Sequence, residues 1–234
     1  MKHRQKVGHA EVALQQRHTA SFNLLPTGAS SSDTPCVVKV EEEVLTALLT
    51  YSDGASFAHI LLQHFPSIGH VLTADESRLG KLGLSRRDVD LLRLVHTTAR
   101  LLETGAVRAR PIVGSAQALL DYLQTSIGYE QVEQLRILFL DCRNHIIADE
   151  VLHRGTVNHT PVYPREVVKR ALTLNASALI AVHNHPSGDP TPSREDIEMT
   201  RQLKSAAAAL DLELHDHVVI GHGTHSSFRS LGLL

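Results

Sequence analysis

The chain has 234 residues, of which 42% are hydrophobic and 21% charged, so it is long and apolar enough to bury one or two cores. Its net charge of −2 disfavours nucleic-acid binding over the whole surface, and no apolar run approaches the ~18 residues of a membrane helix. The basic start lacks the apolar run of a secretory signal, and Cys36 and Cys142 lie far apart. We therefore expect a cytoplasmic protein without a membrane partner.

The first part of the chain predicts a tail followed by a small helical domain. Residues 1–40 include Pro26–Pro35, a stretch of small polar residues, glycine and proline, so we expect them to be disordered. Residues 41–106 are predicted to be helical because apolar residues recur there at helical spacing. The predicted helices are Glu41–Tyr51, Ser56–Phe65 and Ser85–Leu102.

A glycine-containing turn at Leu79–Leu84 joins two of the predicted helices. Such a turn can direct backbone N–H groups at a phosphate, as in a helix-hairpin-helix. Residues 75–110 carry eight basic and five acidic residues, so an anionic partner such as DNA would bind there. The same features also fit an ordinary helix connection closed by glycine, with arginines on a solvated helix face.

After a linker at Gly105–Pro111, residues 111–234 alternate helices and strands, which predicts an α/β or α+β domain. The predicted strands are Leu135–Asp141, His145–Gly155, Ala178–His185 and Glu213–Gly221. Helices are predicted at Ser115–Thr125, from Pro164 onward, and at Ser193–Leu210. In the last helix we expect Ile197, Leu203, Ala207 and Leu210 to face inward.

The stretch His183–Asp196 contains the residues best suited to chemistry. Side chains alternate along a strand, so His183 and His185 point the same way and can converge on one ion. A loop rich in proline and glycine then leads to a helix start, where Asp196 can return a carboxylate to the strand end. Three such ligands leave a zinc ion one position for water, as in catalytic sites. A capping box of Ser193 and Asp196 would explain those two residues without a metal.

The spacing H-x-H-x7-S-x2-D of His183, His185, Ser193 and Asp196 resembles the signature of JAMM, or MPN+, metalloproteases. More narrowly, the chain resembles the bacterial RadC family over about residues 111–234, and less closely over the preceding helical segment. The matching stretches are His153–Thr156, Pro161–Val167, Asn175–Ala178 and His183–Asp196.

The resemblance implies an α+β fold, with a curved JAMM/MPN-like mixed β-sheet flanked by helices and preceded by a small helix-hairpin-helix-like domain. It implies one zinc ion per chain at the sheet edge, bound by His183, His185 and Asp196.

The resemblance also implies a glutamate that acts as general base. We predict Glu133, because it precedes the predicted strand Leu135–Asp141, which is where JAMM proteins place this residue. Glu166, at a helix start, is the next choice, and Glu150 lies inside a predicted strand. Ser193 would donate a hydrogen bond to the oxyanion of the reaction.

These implications predict zinc-dependent hydrolysis of peptide or isopeptide bonds in a peptide or protein substrate. RadC members are also traditionally named as DNA repair proteins, so an accessory protein that binds DNA through residues 75–110 is the alternative. A third interpretation is that zinc only stabilises the sheet edge.

Other histidines are harder to interpret from sequence. His215 and His217 form a second His-x-His, which we interpret as polar residues at a sheet edge, with orientation of a metal ligand as the alternative. His222 and His225 lie in a stretch rich in glycine and serine and are expected to face solvent.

Overall fold

The computed structural model of the protein describes residues 34–50, 55–108, 111–112, 116–155 and 163–234. Most of the predicted tail, residues 1–33, lies outside these ranges. None of the helices in the described ranges is long and apolar enough to cross a lipid bilayer.

The described N-terminal part is helical, as the sequence predicts. Its elements are α1 (Thr34–Thr50), a 3-10 turn (Ala55–Phe57), α2 (Ala58–His64), α3 (Ile68–Thr73), α4 (Glu76–Lys81) and α5 (Arg86–Arg108). Apolar side chains from these elements form one core, whose fully buried members include Leu45, Leu49, Leu61, Val71, Leu79 and Leu92.

Two predicted boundaries in this part are wrong. Helix α1 begins at Thr34, although residues up to 40 were assigned to the tail, because Pro35 is tolerated in the first turn of a helix. Helix α5 continues to Arg108 and so includes part of the predicted linker Gly105–Pro111. One glycine inside a helix costs only about 1 kcal/mol relative to alanine, which does not end a helix of this length.

The turn between α4 and α5 is explained by packing and capping. Gly83 has a φ of +100°, and a Cβ there would approach the Phe57 ring to 2.7 Å. Ser85 and Asp88 cap the start of α5, since Asp88 Oδ2 accepts from the Ser85 N–H at 2.7 Å. Arg86 contacts carboxylates on both helices, at Glu76 and Asp90. DNA binding through residues 75–110 stays a prediction.

The C-terminal part contains the predicted mixed β-sheet. Its strands are β1 (Gln134–Leu140), β2 (Ile146–Arg154), β3 (Ala178–Asn184), β4 (Glu213–Ile220) and β5 (His225–Ser227), in the spatial order β2-β1-β3-β4-β5. Strands β3 and β4 are parallel, and the other neighbours are antiparallel. The α+β fold with a helical N-terminal part is therefore confirmed. Strand β5 was not predicted, because three residues beside a glycine-rich turn show no strand period.

Helices cover both faces of this sheet. They are α6 (Ala116–Ile127), α7 (Pro164–Thr173) and α8 (Arg194–Ala208). On one face α6 packs against side chains such as Leu138 and Ile180. On the other face α7 and α8 pack against Ile137, Phe139 and Ala181. Because side chains alternate along strands, the odd-numbered residues of β1 and β3 face α7 and α8.

The buried stripe of α8 differs from the predicted one. Leu203 and Ala207 are buried as expected, but Ile197 and Leu210 are exposed. The stripe instead begins with two polar residues, Asp196 and Thr200, which are 5% and 1% exposed. A buried polar side chain needs a hydrogen-bond partner, so this end of α8 must face a polar part of the sheet.

The helical part contacts the sheet domain through His222, which we expected to face solvent. The His70 ring packs edge-on against the His222 ring, with centroids 4.2 Å apart, and against Tyr129. His222 also closes over Gly188, where a Cβ would lie 2.6 Å from His222 Nδ1 and where φ is +85°. The solvent-exposed placement is wrong because it ignored the helices that fold over this turn.

Buried and partly buried histidines predict an acid-sensitive fold. Burial is the largest cause that lowers the pKa of several side chains: His70, His96, His215, His217 and His222. The unfolded chain binds protons at these sites near pH 6.5, before the folded chain does. The free energy of unfolding should therefore fall as the pH is lowered from about 6.5 toward the lowered pKa values, despite an opposing contribution from His185, whose pKa is raised.

Urea denaturation at several pH values measures this dependence. We expect His222→Gln to reduce the loss of stability between neutral and acidic pH, whereas His59→Gln, on the exposed surface of α2, should leave it in place. A free energy of unfolding that stays constant or increases on acidification would contradict the prediction.

Candidate metal centre

The site lies where β3 ends and β1 begins. Strand β3 carries His183, and His185 follows directly after its end. Leu135 of β1 pairs with His183, and Glu133 lies two residues earlier on the chain. Strand alternation therefore directs Glu133 to the same face as His183. The start of α8 brings Asp196 to this face as well.

The side chains singled out by the sequence come together in the structure. His183 Nε2 lies 2.9 Å from His185 Nε2 and 3.3 Å from Asp196 Oδ1. His185 Nε2 lies 3.6 Å from Asp196 Oδ2. The ligand atoms of Glu133, His183 and His185 all lie within 4.8 Å of one another. Two carboxylates thus approach one pair of imidazoles, where His183 and Asp196 are buried and His185 and Glu133 partly buried.

The hydrogen bonds of His185 show that this donor set fits a cation. His185 Nδ1 lies 2.7 Å from the Asp189 carbonyl oxygen, which can only accept, so Nδ1 carries the proton of the neutral ring. His185 Nε2 therefore presents a lone pair to the Asp196 carboxylate. A lone pair facing an anion requires a cation or a proton between them. Nitrogen and carboxylate oxygen are ligands that zinc accepts, so the cluster fits a divalent metal.

The directions in which the pKa values of the cluster are shifted agree with a cation or a proton between His185 and Asp196. Burial alone would raise the pKa of Asp196, but His183 and His185, which donate to the carboxylate when their Nε2 atoms are protonated, and the Ser193 hydroxyl hold it well below its ordinary value. The hydrogen bond to Asp196 raises the pKa of His185. A proton and a metal ion would therefore compete for the same position between these side chains.

Ser193 and Asp196 form the predicted capping box as well. Asp196 Oδ2 accepts from the Ser193 N–H at 2.8 Å and from the Ser193 hydroxyl at 2.6 Å. The Ser193 oxygen accepts from the Asp196 N–H at 3.1 Å. The two interpretations are therefore compatible, because capping fixes Oδ2 while Oδ1 faces His183. Oxyanion donation by Ser193 stays a prediction, since in this structure its hydroxyl proton is directed at Asp196.

Among the three glutamates considered, the structure brings Glu133 to the histidines. Burial raises the pKa of Glu133, and the nearby His183 and His185 partly offset that effect. Glu150 instead forms an ion pair with Arg170, whose hydrogen bond lowers the pKa of Glu150. The Glu166 carboxylate is exposed, 3.3 Å from Arg165.

Asn184 ties the segment that carries Glu133 to strand β3. Its side-chain oxygen accepts from the Gln134 N–H at 2.9 Å, and its amide donates to the carbonyls of Glu130 and Val132. Asn184 is 1% exposed, and its bond to Gln134 is fully buried. The residue between the two histidines therefore helps to fix the backbone on which Glu133 stands.

For the second His-x-His, the structure places one histidine where the alternative interpretation, a partner of a proposed metal ligand, requires it. His217 lies inside β4, fully buried, with Nε2 2.8 Å from His183 Nδ1, so its placement at a sheet edge is wrong. His217 pairs with Ala181 of β3, two residues before His183, so the His217 ring lies next to the His183 ring. His215 lies elsewhere, with Nε2 2.7 Å from Asn144 Oδ1 in the β1–β2 turn. A second His-x-His on a strand parallel to β3 was the available signal.

Comparison with known proteins agrees with this architecture. The model of the RadC-like JAB domain matches residues 113–233. A UPF0758 protein of Rhodobacter capsulatus is 54% identical over 194 residues, which are 82% of this chain and 91% of that protein. A UPF0758 protein of Ruegeria pomeroyi is 47% identical over 194 residues, covering 82% of this chain and 87% of that protein.

The mixed sheet and its histidine and carboxylate cluster define a JAB-type domain, a class that includes the JAMM metallohydrolases and is typically metal-dependent. Within that class, the chain belongs to the RadC family.

Proposed function

We propose that the protein is a zinc-dependent hydrolase of peptide or isopeptide bonds. The observation that carries the proposal is the convergence of His183 Nε2, His185 Nε2 and the Asp196 carboxylate, with Glu133 beside them. Three ligands of this type are typical of catalytic zinc sites, which keep a position for water or substrate. The partial exposure of His185 and Glu133 supports access from solvent.

His183, His185 and Asp196 would hold one ion per chain. When bound, such an ion polarises a carbonyl group and lowers the pKa of water to about 7. Cobalt, manganese and nickel accept similar ligands, and zinc is favoured by its prevalence in hydrolytic sites with this donor set.

Glu133 would carry the proton in this reaction. Its carboxylate would take a proton from the water as the water oxygen bonds to the carbonyl carbon, and would return that proton to the amine nitrogen as the C–N bond breaks. Its raised pKa makes the protonated form easier to reach during that transfer. Ser193 would hydrogen-bond to the developing oxyanion, which requires its hydroxyl to turn away from Asp196 Oδ2.

Metal analysis followed by a cleavage screen tests the proposal. We expect the purified protein to contain about one zinc per chain and to cleave members of a peptide and isopeptide library. Removing the metal with a chelator should abolish cleavage, and adding zinc should restore it. Cleavage that survives complete metal removal would contradict the mechanism, and a zinc-loaded protein without cleavage of any such bond would contradict the proposed activity.

A further inference from the structure

A chain of hydrogen bonds runs from the start of α8 to the far side of the His183 ring. The Thr200 hydroxyl lies 2.6 Å from the Asp196 carbonyl oxygen and 2.5 Å from His217 Nδ1. His217 Nε2 lies 2.8 Å from His183 Nδ1. Thr200 and His217 are 1% and 0% exposed, so water does not compete for these bonds.

The donor and the acceptor of each hydrogen bond in this series follow from the first bond, between Thr200 and Asp196. A carbonyl oxygen can only accept, so the Thr200 hydroxyl donates to the Asp196 carbonyl, as is common four residues apart in helices. The Thr200 oxygen must then accept from His217 Nδ1–H. The neutral His217 ring has no second proton, so its Nε2 accepts from His183 Nδ1–H. His183 is left with a lone pair on Nε2, the atom that faces His185 and Asp196.

We propose that His217 is a positioning residue that fixes His183 in the tautomer able to bind a metal. The proposal deepens the metal-dependent function above and rests on the same site. The series of hydrogen bonds begins and ends at Asp196. The Asp196 carbonyl oxygen accepts from Thr200, and the Asp196 carboxylate faces His183. Metal-binding histidines commonly need such an outer partner to fix ring orientation and tautomer.

The surroundings of His217 keep it neutral and in place. His217 is fully buried, and its ring nitrogens contact the Thr200 hydroxyl and the His183 ring rather than a carboxylate, so a buried imidazolium would be costly there. Its ring stacks on Phe228, with centroids 4.4 Å apart and planes 28° apart. A neutral acceptor satisfies His183 Nδ1–H without adding another negative charge to the sheet interior.

Two pairs of variants test the assignment. Thr200→Val removes the acceptor for His217 Nδ1–H, whereas Thr200→Ser keeps a hydroxyl. His217→Phe removes both hydrogen bonds and preserves an aromatic ring beside Phe228, whereas His217→Gln keeps a group that can accept from His183.

Long-range ¹H–¹⁵N spectra of the zinc-free protein near neutral pH show which ring nitrogen carries the proton. We expect His183 to be protonated on Nδ1 in the wild type and in Thr200→Ser. In Thr200→Val a population protonated on Nε2 should appear. A wild-type His183 protonated on Nε2 would overturn the proposal.

Competition titration with a zinc-binding dye gives a second readout. We expect the zinc affinity to fall about 10- to 100-fold in His217→Phe, less in Thr200→Val, and least in Thr200→Ser and His217→Gln. A folded His217→Phe protein with wild-type zinc affinity would overturn the role. If His217→Phe fails to fold, the two Thr200 variants still decide the question. Neither readout needs a substrate. A protein without peptidase activity would therefore contradict the proposed function, but the role of His217 could still be confirmed or refuted by these two measurements.

Discussion

Replacing His183 by alanine should abolish both zinc binding and hydrolysis. The variant loses one of three proposed ligands, and its partner His217 loses the group to which it bonds. Changing an outer partner alone costs about 10- to 100-fold in metal affinity, so loss of a direct ligand should cost more than about 100-fold. Zinc content after dialysis, together with cleavage of the best peptide from the screen, measures both effects.

A suitable control for this variant is His145→Ala. His145 lies in the turn before β2, at the opposite end of β1 from Glu133, so its replacement should leave zinc content unchanged. Because His183 is buried, a thermal unfolding curve must accompany the measurement, to show that the variant is folded. A folded His183→Ala protein with full zinc occupancy would mean that the ligand assignment is wrong.

Replacing Glu133 by glutamine should separate catalysis from metal binding. The amide has nearly the same shape as the carboxylate but cannot take a proton from water. General acid–base catalysis contributes about 10²- to 10⁴-fold, so we expect kcat to fall by that factor. Zinc content should stay near that of the wild type, because His183, His185 and Asp196 are unchanged.

The other glutamates provide matched controls. Glu166→Gln changes an exposed carboxylate beside Arg165, and Glu150→Gln changes the partner of Arg170. Both variants should retain wild-type kcat. If Glu133→Gln cleaves peptides at the wild-type rate, Glu133 is not the general base, and the proton must be carried by another group.

The sequence was most informative where chemistry and local structure coincide. His183 and His185 are two residues apart on a strand, and Ser193 and Asp196 are three residues apart at a helix start. Such spacings determine direction within a single element, so a common face and a capping box could be predicted before any packing was known. The run of apolar residues before His183 identified β3 with a boundary error of one residue.

Prediction failed where a partner comes from another element. The inward face of α8 was assigned from apolar residues alone, whereas Thr200 is buried because His217 lies opposite it. Asn184 could not be connected with Gln134, because that contact joins residues 50 positions apart. His222 is partly buried because His70 folds over it.

The sequence by itself determined the alternation of helices and strands, the common direction of His183 and His185, and the type of ligand available to a metal. Only the tertiary structure decided that Glu133, rather than Glu150 or Glu166, lies beside the histidines, and that His217 contacts His183. The physical reason is that periodicity follows from dihedral angles within one element, whereas strand register and helix packing depend on contacts between distant parts of the chain.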